Sequence, residues 1–384
     1  MSEKRLKALQ LGKLYYPVTG GIEKTMQQIA EGIKDNVDSC VLAAQPKGKA
    51  YGAIVNGVKV YYAKSWGTVA SLPISIDLVR YLCRHAKEYD VIHLHVPFPL
   101  GDLACLLSGY KGKLIVYWHS DIVRQKQFLL LYKPLMKWLL KRADVILAAT
   151  EGNIIGSKWI RPYKWKCRTV PFGLSKNIEK SSDRFWLLQQ NEKIIRQSIE
   201  KQNGGLKLLF IGRLVYYKGC DVLIKAIDLL GEQDIEVVIV GTGILEQELK
   251  RYVDDKKIKC NITFMGFVEE DDLCVMIEEC DVFVFPSTEN SEAFGLVQLE
   301  AMAYGKPVIN TSLPTGVPWV SLNGVTGLTV SPGNVQELAD AILWMKYHPV
   351  ERIEMGKRAR EWVKKEFTEE KMNQSLLEIY KEDL

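Results

Sequence analysis

Two glutamates eight residues apart, Glu292 and Glu300, lie near the start of a predicted helix in the C-terminal half of the chain. Four consecutive apolar residues, 282–285, come before them and predict a buried strand of a parallel sheet. Helical spacing of apolar residues begins at about Gly295, so a loop joins strand to helix. Such a loop and the first turn of a helix present free backbone amides to anions. Two carboxylates beside an anion site suit a ligand with both phosphates and hydroxyls, as in a nucleotide sugar.

A second stretch with phosphate chemistry runs from Gly212 to Gly219. A predicted strand ends there, the loop carries Arg213 and Lys218, and a helix is predicted to begin near Gly219. Two cations and a helix dipole can neutralise the charge that develops on a departing diphosphate. The chain has no D-x-D sequence, so we expect these groups to act without a metal ion. The alternative is that both cations are solvated surface residues.

Two glycine-containing turns follow other predicted strands. Gly20–Gly21 precedes the first helix, where a backbone can approach a ligand and amides can bind phosphate, or where the turn is purely structural. Gly241-Thr-Gly243 lacks the third glycine of the dinucleotide fingerprint, so it predicts a tight turn near a ligand and not an NAD site. Phe267 and Val268 end the following strand, where backbone groups can contact a base.

Histidines occur in and after strands of the first half. His119 follows a strand end, where it can bond a sugar hydroxyl or transfer a proton. His93 and His95 alternate within the preceding strand, so both lie on one face of it. With no third ligand nearby in sequence, we interpret this pair as packing and not as a metal site.

Strands and helices alternate through both halves of the chain, which predicts α/β architecture with doubly wound parallel sheets. Periodicity is lost from Pro171, and a polar stretch extends to Gly205. We therefore expect two similar domains, 1–174 and 175–367, with ligands beyond the C-terminal ends of the strands.

The composition agrees with two soluble domains. A chain of 384 residues is longer than one hydrophobic core usually supports. Its content of 47% apolar and 25% charged residues is ordinary for a globular protein. Eight cysteines lack any C-x-x-C pair, so we expect reduced thiols. No apolar run is long enough for a transmembrane helix, and the N-terminus lacks a signal-peptide core. These features predict a cytoplasmic protein.

The positive charge is concentrated in residues 121–168. This stretch has eleven lysines and arginines against three acids, a net charge of +8, and contains Trp138, Trp159 and Trp165. Cations with interfacial tryptophans favour an anionic membrane surface. A solvated basic face is an alternative, and nucleic acid is the least supported because no RNA- or DNA-binding motif accompanies the charge.

Together these motifs resemble the retaining glycosyltransferases of family 4, whose GT-B fold has two Rossmann-like domains facing a cleft. The resemblance covers nearly the whole chain and rests on the Gly20–Gly21 loop, the Gly212–Gly219 loop, the Gly241–Gly243 turn and the Glu292/Glu300 pair, in the family's order. Segments 119–126, 170–174, 216–219 and 291–295 are similar to bacterial mannosyltransferases of O-antigen and exopolysaccharide assembly.

The resemblance implies residue roles. Arg213 and Lys218 would hold the donor diphosphate, Glu300 the ribose hydroxyls and Glu292 the hexose, which His119 would contact from the other domain. Arg213, Lys218, Glu292 and His119 are thus the implied catalytic set. The implied donor-binding set also contains Gly20, Gly21, Gly212, Gly241, Phe267, Val268, Phe294, Gly295 and Leu296. The C-terminal helix, 368–384, is expected to pack on the first domain.

The resemblance also implies the reaction. It would be retaining, cofactor-free and metal-independent transfer of mannose from GDP-mannose to a growing cell-surface glycan linked to a polyprenol diphosphate. Rhamnose or glucose transfer from a dTDP- or UDP-sugar is the alternative. Residues 121–168 would dock the enzyme on the inner face of the plasma membrane. A non-catalytic nucleotide-sugar-binding subunit, a GT-B epimerase and a phosphorylase are alternatives of another class.

Overall fold

The computed structural model describes residues 5–18, 20–69, 72–121, 126–189, 205–231 and 234–382, and gives the backbone only for 126–130 and 189. The chain divides into two compact units. The first comprises Met1–Gly173 and Glu369–Leu384, and the second comprises Leu174–Thr368.

The described strands are β1 (Lys7–Gly12), β2 (Asp38–Ala43), β3 (Tyr51–Val55), β4 (Val58–Tyr62), β5 (Thr68–Val69), β6 (Leu72–Pro73), β7 (Val91–Val96), β8 (Lys113–Trp118), β9 (Val145–Ala148), β10 (Cys167–Thr169), β11 (Leu206–Ile211), β12 (Ile235–Val240), β13 (Asn261–Gly266), β14 (Val282–Val284), β15 (Val308–Thr311) and β16 (Gly327–Val330). The described α-helices are α1 (Gly21–Gly32), α2 (Ile76–His85), α3 (Pro99–Ser108), α4 (Lys126–Arg142), α5 (Glu151–Gly156), α6 (Lys176–Gln189), α7 (Cys220–Leu230), α8 (Glu246–Lys256), α9 (Glu270–Glu279), α10 (Leu296–Ala303), α11 (Val317–Val320), α12 (Val335–Tyr347), α13 (Pro349–Glu366) and α14 (Glu369–Lys381). Short 3₁₀ turns lie at Ala86–Glu88, Arg161–Lys166 and Tyr216–Lys218.

The main sheet of the first unit has the strand order β10-β9-β8-β7-β1-β2-β4-β3. Neighbouring strands are parallel except β3 and β4. One face is apolar: Leu9, Leu11, Ile92 and Leu94 are buried with side chains of α2, α3 and α4. The other face carries buried polar residues on β1 and β7, and α14 belongs to this unit.

The second unit has a parallel sheet of the order β13-β12-β11-β14-β15-β16. Strands β14 and β15 are buried throughout and β11 and β12 largely so, as expected for a parallel sheet between helix layers, whereas the edge strand β13 is half-buried to exposed. The order reverses between β11 and β14, so the C-terminal ends of these two strands mark the switch point at which ligands bind in such sheets. The predicted α/β class with parallel sheets is confirmed.

A helix lies where the sequence analysis predicts loss of periodicity. Helix α6 buries Ile178 and Ser182, and the Phe185 ring lies tilted against the Tyr304 ring with centroids 5.6 Å apart. These positions have helical spacing, but the small polar Ser182 interrupts the apolar pattern, and exposed Leu187 obscures it further. The prediction of an aperiodic stretch is therefore wrong for 176–189.

The antiparallel strand β3 is also absent from the sequence prediction. It joins β4 through Asn56 and Gly57, which have positive φ values of 49° and 86°. Asn-Gly between two apolar segments favours a two-residue hairpin turn. That dipeptide was the available signal for the strand.

Candidate active site

The loop between β11 and α7 carries the predicted diphosphate-binding cations. Gly219 precedes α7 with φ of +70°, and a Cβ there would lie 1.9 Å from the Pro286 carbonyl oxygen. Only glycine fits this approach of the β11 loop to the end of β14. The Thr288 amide also donates to the Tyr217 carbonyl at 2.8 Å. Lys218 is thereby held against the β14 loop.

The loop between β14 and α10 is fixed by contacts along its length. The Thr311 hydroxyl donates to the Ser287 carbonyl at 2.7 Å, and the Gly316 amide donates to the Ala293 carbonyl at 2.8 Å. Gly295 has φ of +80°, and a Cβ there would lie 2.6 Å from the Phe285 ring. Helix α10 begins directly after Gly295, so Glu292 stands on a tightly packed loop before a helix N-terminus.

Lys218 and Glu292 form an ion pair at this point. Lys218 Nζ lies 2.5 Å from Glu292 Oε2, and the two side chains are only 15% and 10% exposed. Ser287 Oγ donates to the same carboxylate oxygen at 3.2 Å, and Lys218 Nζ lies 5.2 Å from the centre of the Phe285 ring. Desolvating two charges is costly, so such a pair depends on close geometry and further hydrogen bonds. The structure thus brings together the residues predicted to bind phosphate and hexose.

The other two predicted charged residues lie at different places. Arg213 is exposed, and its Nη2 donates to Tyr217 Oη at 2.9 Å. Glu300 is half-buried in the second turn of α10. Phe294, predicted to offer its amide, is buried, and its carbonyl accepts from the Gln298 side chain at 2.9 Å.

The predicted glycines Gly212 and Gly241 lie beside Gly266 at the ends of β11, β12 and β13. The Gly212 amide donates to the Val240 carbonyl at 3.0 Å, and the Gly241 amide donates to the Gly266 carbonyl at 2.7 Å. Gly241 has φ of +126°, and a Cβ there would lie 2.0 Å from the Gly212 oxygen. Phe267 follows with 75% of its surface exposed, while Val268 is half-buried.

In the first unit, Gly20 precedes α1 and is exposed, as is Gly21. The φ of Gly20 is −166°, an extended backbone that does not itself require glycine. A Cβ there would lie 2.4 Å from Oε2 of Glu23, which is the end of a flexible side chain that can move aside. The neighbouring Thr19 lies outside the described residues.

His119 follows β8 and is 6% exposed. Its Nε2 lies 2.9 Å from His95 Nδ1, and its ring stacks on Phe172 with centroids 5.3 Å apart. Burial lowers the pKa of His119 to about 3, so the ring is neutral near pH 7. A neutral ring is suited to the predicted hydrogen bond with a sugar hydroxyl and poorly suited to proton transfer.

His93 and His95 lie on one face of β7, as predicted, with ring centroids 4.7 Å apart. Both are buried and hydrogen bonded, His93 to Tyr380 and His95 to Gln10. Among the described residues, no three His, Cys, Asp or Glu side chains are grouped so that they could hold a metal ion. Sequence reasoning missed Gln10, although a glutamine inside an apolar strand was a signal.

The basic stretch at 121–168 is only partly a surface feature. Trp165 is 74% exposed, whereas Trp138 and Trp159 pack on the core of the first unit. Lys166 is buried, and its Nζ donates to the carbonyls of Lys141 and Ala143 at 3.0 and 2.7 Å. Residues 122–125 and the side chains of 126–130 lie outside the described residues. None of the described helices has the length and apolarity that crossing a bilayer requires.

Comparison with solved structures identifies the fold. The Anabaena protein HepE in complex with UDP superposes with a TM-score of 0.74 at 20% identity, covering 97% of this chain and 99% of its own. Sucrose-phosphate synthase from Thermosynechococcus elongatus gives a TM-score of 0.73 at 19% identity, covering 97% and 98%. At these identities the likeness shows the fold alone. The predicted GT-B fold is confirmed.

Family models and relatives identify the family. Residues 191–362 match the model of glycosyl transferases group 1, and residues 19–152 match that of glycosyltransferase family 4. The chain is 33% identical to D-rhamnosyltransferase WbpZ of Pseudomonas aeruginosa, covering 94% of this chain and 92% of that protein. It is 29% identical to O-antigen chain mannosyltransferase C of Escherichia coli over 98% of both. The chain belongs to glycosyltransferase family 4 and is a glycosyltransferase.

The buried histidines predict how stability depends on pH. Burial lowers the pKa of His93 and His119 to about 3, and that of His95 well below its ordinary value. The unfolded chain takes up these protons near pH 6.5, so stability is present above that pH and is lost as pH falls toward 3. Each histidine contributes a slope of about 1.4 kcal/mol per pH unit. Burial raises the pKa of Asp102 to about 7, so the folded chain binds this proton before the unfolded chain does. Between about pH 7 and 4, this gain in stability offsets the loss caused by one of the three histidines.

Urea unfolding of the first unit, followed at pH 7.0 and 5.5, measures this slope. His93→Gln is expected to reduce the pH dependence by about one proton, whereas the control His85→Gln removes a histidine whose side chain is 39% exposed. A slope that is the same in His93→Gln and the parent would contradict the assignment of a neutral His93 in the folded state.

Proposed function

We propose that the chain transfers a hexose from a nucleotide sugar to a growing cell-surface glycan, with mannose from GDP-mannose as the best-supported donor. The Lys218–Glu292 pair is the observation that supports this proposal most directly. It holds a cation suited to phosphate 2.5 Å from a carboxylate suited to sugar hydroxyls. The pair stands where the loops after β11 and β14 meet, before the N-terminus of α10.

The charges of the pair suit a sugar diphosphate. Glu292 is the counterion of Lys218 in this structure. A diphosphate can replace Glu292 as the partner of Lys218, which frees the carboxylate to accept hydrogen bonds from hexose hydroxyls. Arg213 is exposed on the same loop and adds a second cation for the diphosphate. This use of cations and a helix dipole supports a reaction that needs no metal ion.

The glycines support the binding of a nucleotide along the same edge. Gly212 and Gly241 leave the backbone uncovered by side chains at adjacent strand ends, and Phe267 is exposed next to them. We assign the base to the backbone around Phe267 and Val268, and the ribose hydroxyls to Glu300. The contacts of His119 with the hexose and of the Gly20–Gly21 amides with phosphate stay predictions.

We propose a retaining reaction. The bond between the anomeric carbon and the diphosphate oxygen breaks, and the acceptor oxygen bonds to the same face of the resulting oxocarbenium-like sugar. The acceptor proton passes to the departing phosphate oxygen. Lys218 and Arg213 neutralise the leaving group, so the protein contributes positioning and electrostatic stabilisation and no covalent intermediate.

The relatives support the substrate class. One is called an O-antigen chain mannosyltransferase and another a D-rhamnosyltransferase, and both align along nearly the whole chain. Rhamnose is therefore the second candidate sugar. The solved structure of HepE in complex with UDP-glucose is only 20% identical to this chain. Glucose is therefore the least supported of the three candidate sugars.

The phosphate role predicts a large loss of activity in Lys218→Ala. Removal of one transition-state cation is expected to lower sugar transfer by about 10²–10³-fold. The matched control is Lys225→Ala in α7, because Lys225 is also paired with a carboxylate, Asp221 at 2.8 Å, but is 46% exposed. Transfer in Lys218→Ala within a few-fold of the control would exclude Lys218 from the phosphate site. Circular dichroism of both variants separates this effect from misfolding.

The donor and the stereochemistry are tested in one experiment. GDP-mannose, a rhamnose donor and UDP-glucose, each with a ¹³C-labelled sugar, are incubated with the protein and a bacterial lipid extract. We expect the label from GDP-mannose in the lipid fraction, with NMR showing the α-configuration of the donor because the same face is used. A β-linked product would exclude the retaining reaction. Donor hydrolysis without transfer to any lipid would favour a different acceptor, and no turnover would favour a binding subunit.

We propose a lipid-linked acceptor, such as a polyprenol diphosphate, and contact with an anionic membrane on the inner face of the plasma membrane. Support comes from the described surface of the basic stretch, where Trp165 is 74% and Leu131 is 82% exposed among lysines. Interfacial tryptophan combined with cations binds anionic headgroups.

Vesicle sedimentation tests this contact. Phosphatidylglycerol-containing vesicles should bind the protein at low salt and release it at high salt, because surface charges are screened. Trp165→Ser should weaken the binding about ten-fold, while Trp319→Ser, at a 45% exposed residue of the second unit, serves as the control. The absence of binding to anionic vesicles at low salt would overturn the membrane proposal.

A further inference from the structure

A row of polar side chains crosses one face of the main sheet in the first unit. Gln10 of β1 is the register partner of His93 of β7, and His95 is the register partner of Tyr117 of β8. All four side chains are buried, at 1% exposure or less. The residues between them point to the opposite, apolar face. His119 follows Tyr117 at the same spacing, just past the strand end.

Hydrogen bonds connect this row from the C-terminal helix to His119. Tyr380 of α14 has its hydroxyl 2.6 Å from His93 Nδ1 and 2.8 Å from Gln10 Nε2. The other end of the amide, Gln10 Oε1, lies 3.0 Å from His95 Nε2. His95 Nδ1 lies 2.9 Å from His119 Nε2. This series of hydrogen bonds therefore connects α14 indirectly with His119.

These contacts fix the proton positions. Gln10 Oε1 can only accept, so His95 Nε2 carries a hydrogen. The buried ring of His95 is neutral, which leaves its Nδ1 as an acceptor. His119 Nε2 must then donate to it, and the neutral His119 ring has an unprotonated Nδ1. Tyr380 accepts from Gln10 and donates to His93, since burial raises its pKa and keeps its proton.

We propose that Tyr380, Gln10 and His95 are positioning residues that hold His119 as the Nε2–H tautomer, so that it offers an acceptor nitrogen to a hydroxyl of the sugar substrate. This inference rests on the proposed function of His119 as a hexose contact. In that tautomer, Nδ1 favours a group that donates a hydrogen bond and disfavours one that only accepts. Tyr380 acts from a helix that follows the whole second unit in sequence.

The hydroxyl of Tyr380 is separable from the docking of α14. Lys113 Nζ donates to the carbonyls of Ile379 and Glu382 at the end of this helix. Leu376 and Met372 of the helix are buried as well. Tyr380→Phe keeps the ring that contacts His93 edge-on at 5.7 Å and removes only the hydroxyl. Gln10 Nε2 then loses its acceptor, and the amide can rotate by 180°. That rotation would exchange donor and acceptor in each hydrogen bond from Gln10 to His119.

Nitrogen NMR of the ¹⁵N-histidine-labelled full chain, without donor, tests the proposal directly. The chain has five histidines, and long-range ¹H–¹⁵N correlations distinguish the two tautomers of each ring. We expect Nε2–H for His95 and His119 in the parent, and a shift of both toward Nδ1–H in Tyr380→Phe. The control Tyr61→Phe, which removes a hydroxyl bonded to Asp77 in the same unit, should leave both signals unchanged.

Transfer kinetics provide the second measurement. Tyr380→Phe should lower kcat/KM about ten-fold, the effect of one misdirected hydrogen bond, while Tyr61→Phe does not. An Nδ1–H His119 in the parent, or unchanged tautomers in Tyr380→Phe, would overturn the proposal. The NMR result needs no sugar transfer, so a confirmed tautomer shift in a protein that transfers no sugar would refute the proposed function and leave the positioning of His119 intact.

Discussion

The geometry of parallel strands is the constraint on which the rest of this protein depends. Parallel strands all end at one edge, so residues far apart in sequence meet there without any local signal. In the second unit this edge gathers Gly212, Gly241, the Gly266 carbonyl and the loop before α10. Close packing of the loops then requires glycine at particular points. Gly219 touches the Pro286 carbonyl and Gly241 the Gly212 carbonyl, where any side chain would collide. The glycines that sequence analysis assigns to ligand binding therefore have a structural task as well.

The ion pair between Lys218 and Glu292 balances two charges that are largely buried at this edge. A lysine that is 15% exposed and without an anion would lose much of its hydration at a cost of several kcal/mol. Glu292 supplies that anion, and its carboxylate also accepts a hydrogen bond from the Ser287 hydroxyl. A diphosphate that displaces Glu292 thus exchanges one counterion for another and leaves the carboxylate free for hydroxyls. In the proposed binding mode, a ligand with phosphates but no hydroxyls would leave Glu292 with only the Ser287 hydroxyl as a partner, so the pair would favour a ligand that satisfies both groups.

Most buried strands were predictable because each is a continuous apolar run between turn signals, whereas the order of the strands within each sheet was not predicted. The fold class follows from that alternation, and the family follows from motifs at the strand ends. Elements at the periphery were less predictable. The only signal for β3 is the Asn56–Gly57 turn, and the polar Ser182 interrupts the apolar pattern on the buried face of α6. Long-range side-chain contacts could not be predicted at all. Gln10 and His95 are 85 residues apart, and the pairing of Lys218 with Glu292 depends on where two loops cross. The roles of individual site residues stay predictions for the same reason.

In the first unit, one face of the main sheet buries polar side chains and is not a purely apolar core. One face of β1 and β7 is leucine, isoleucine and valine, and the other buries a glutamine and two histidines that must remain neutral. This row is less favourable than apolar packing. Each neutral ring needs partners of the right kind, and His93 Nε2, which lies buried, has none within the part of the chain described, a cost of about 1–3 kcal/mol. Packing alone does not explain such a row, because the opposite face of the same strands packs without it. The proposed contact of His119 with the sugar would account for it. Burial lowers the pKa of all three histidines and favours neutral rings, and in the proposal the row fixes which nitrogen of His119 accepts a hydrogen bond.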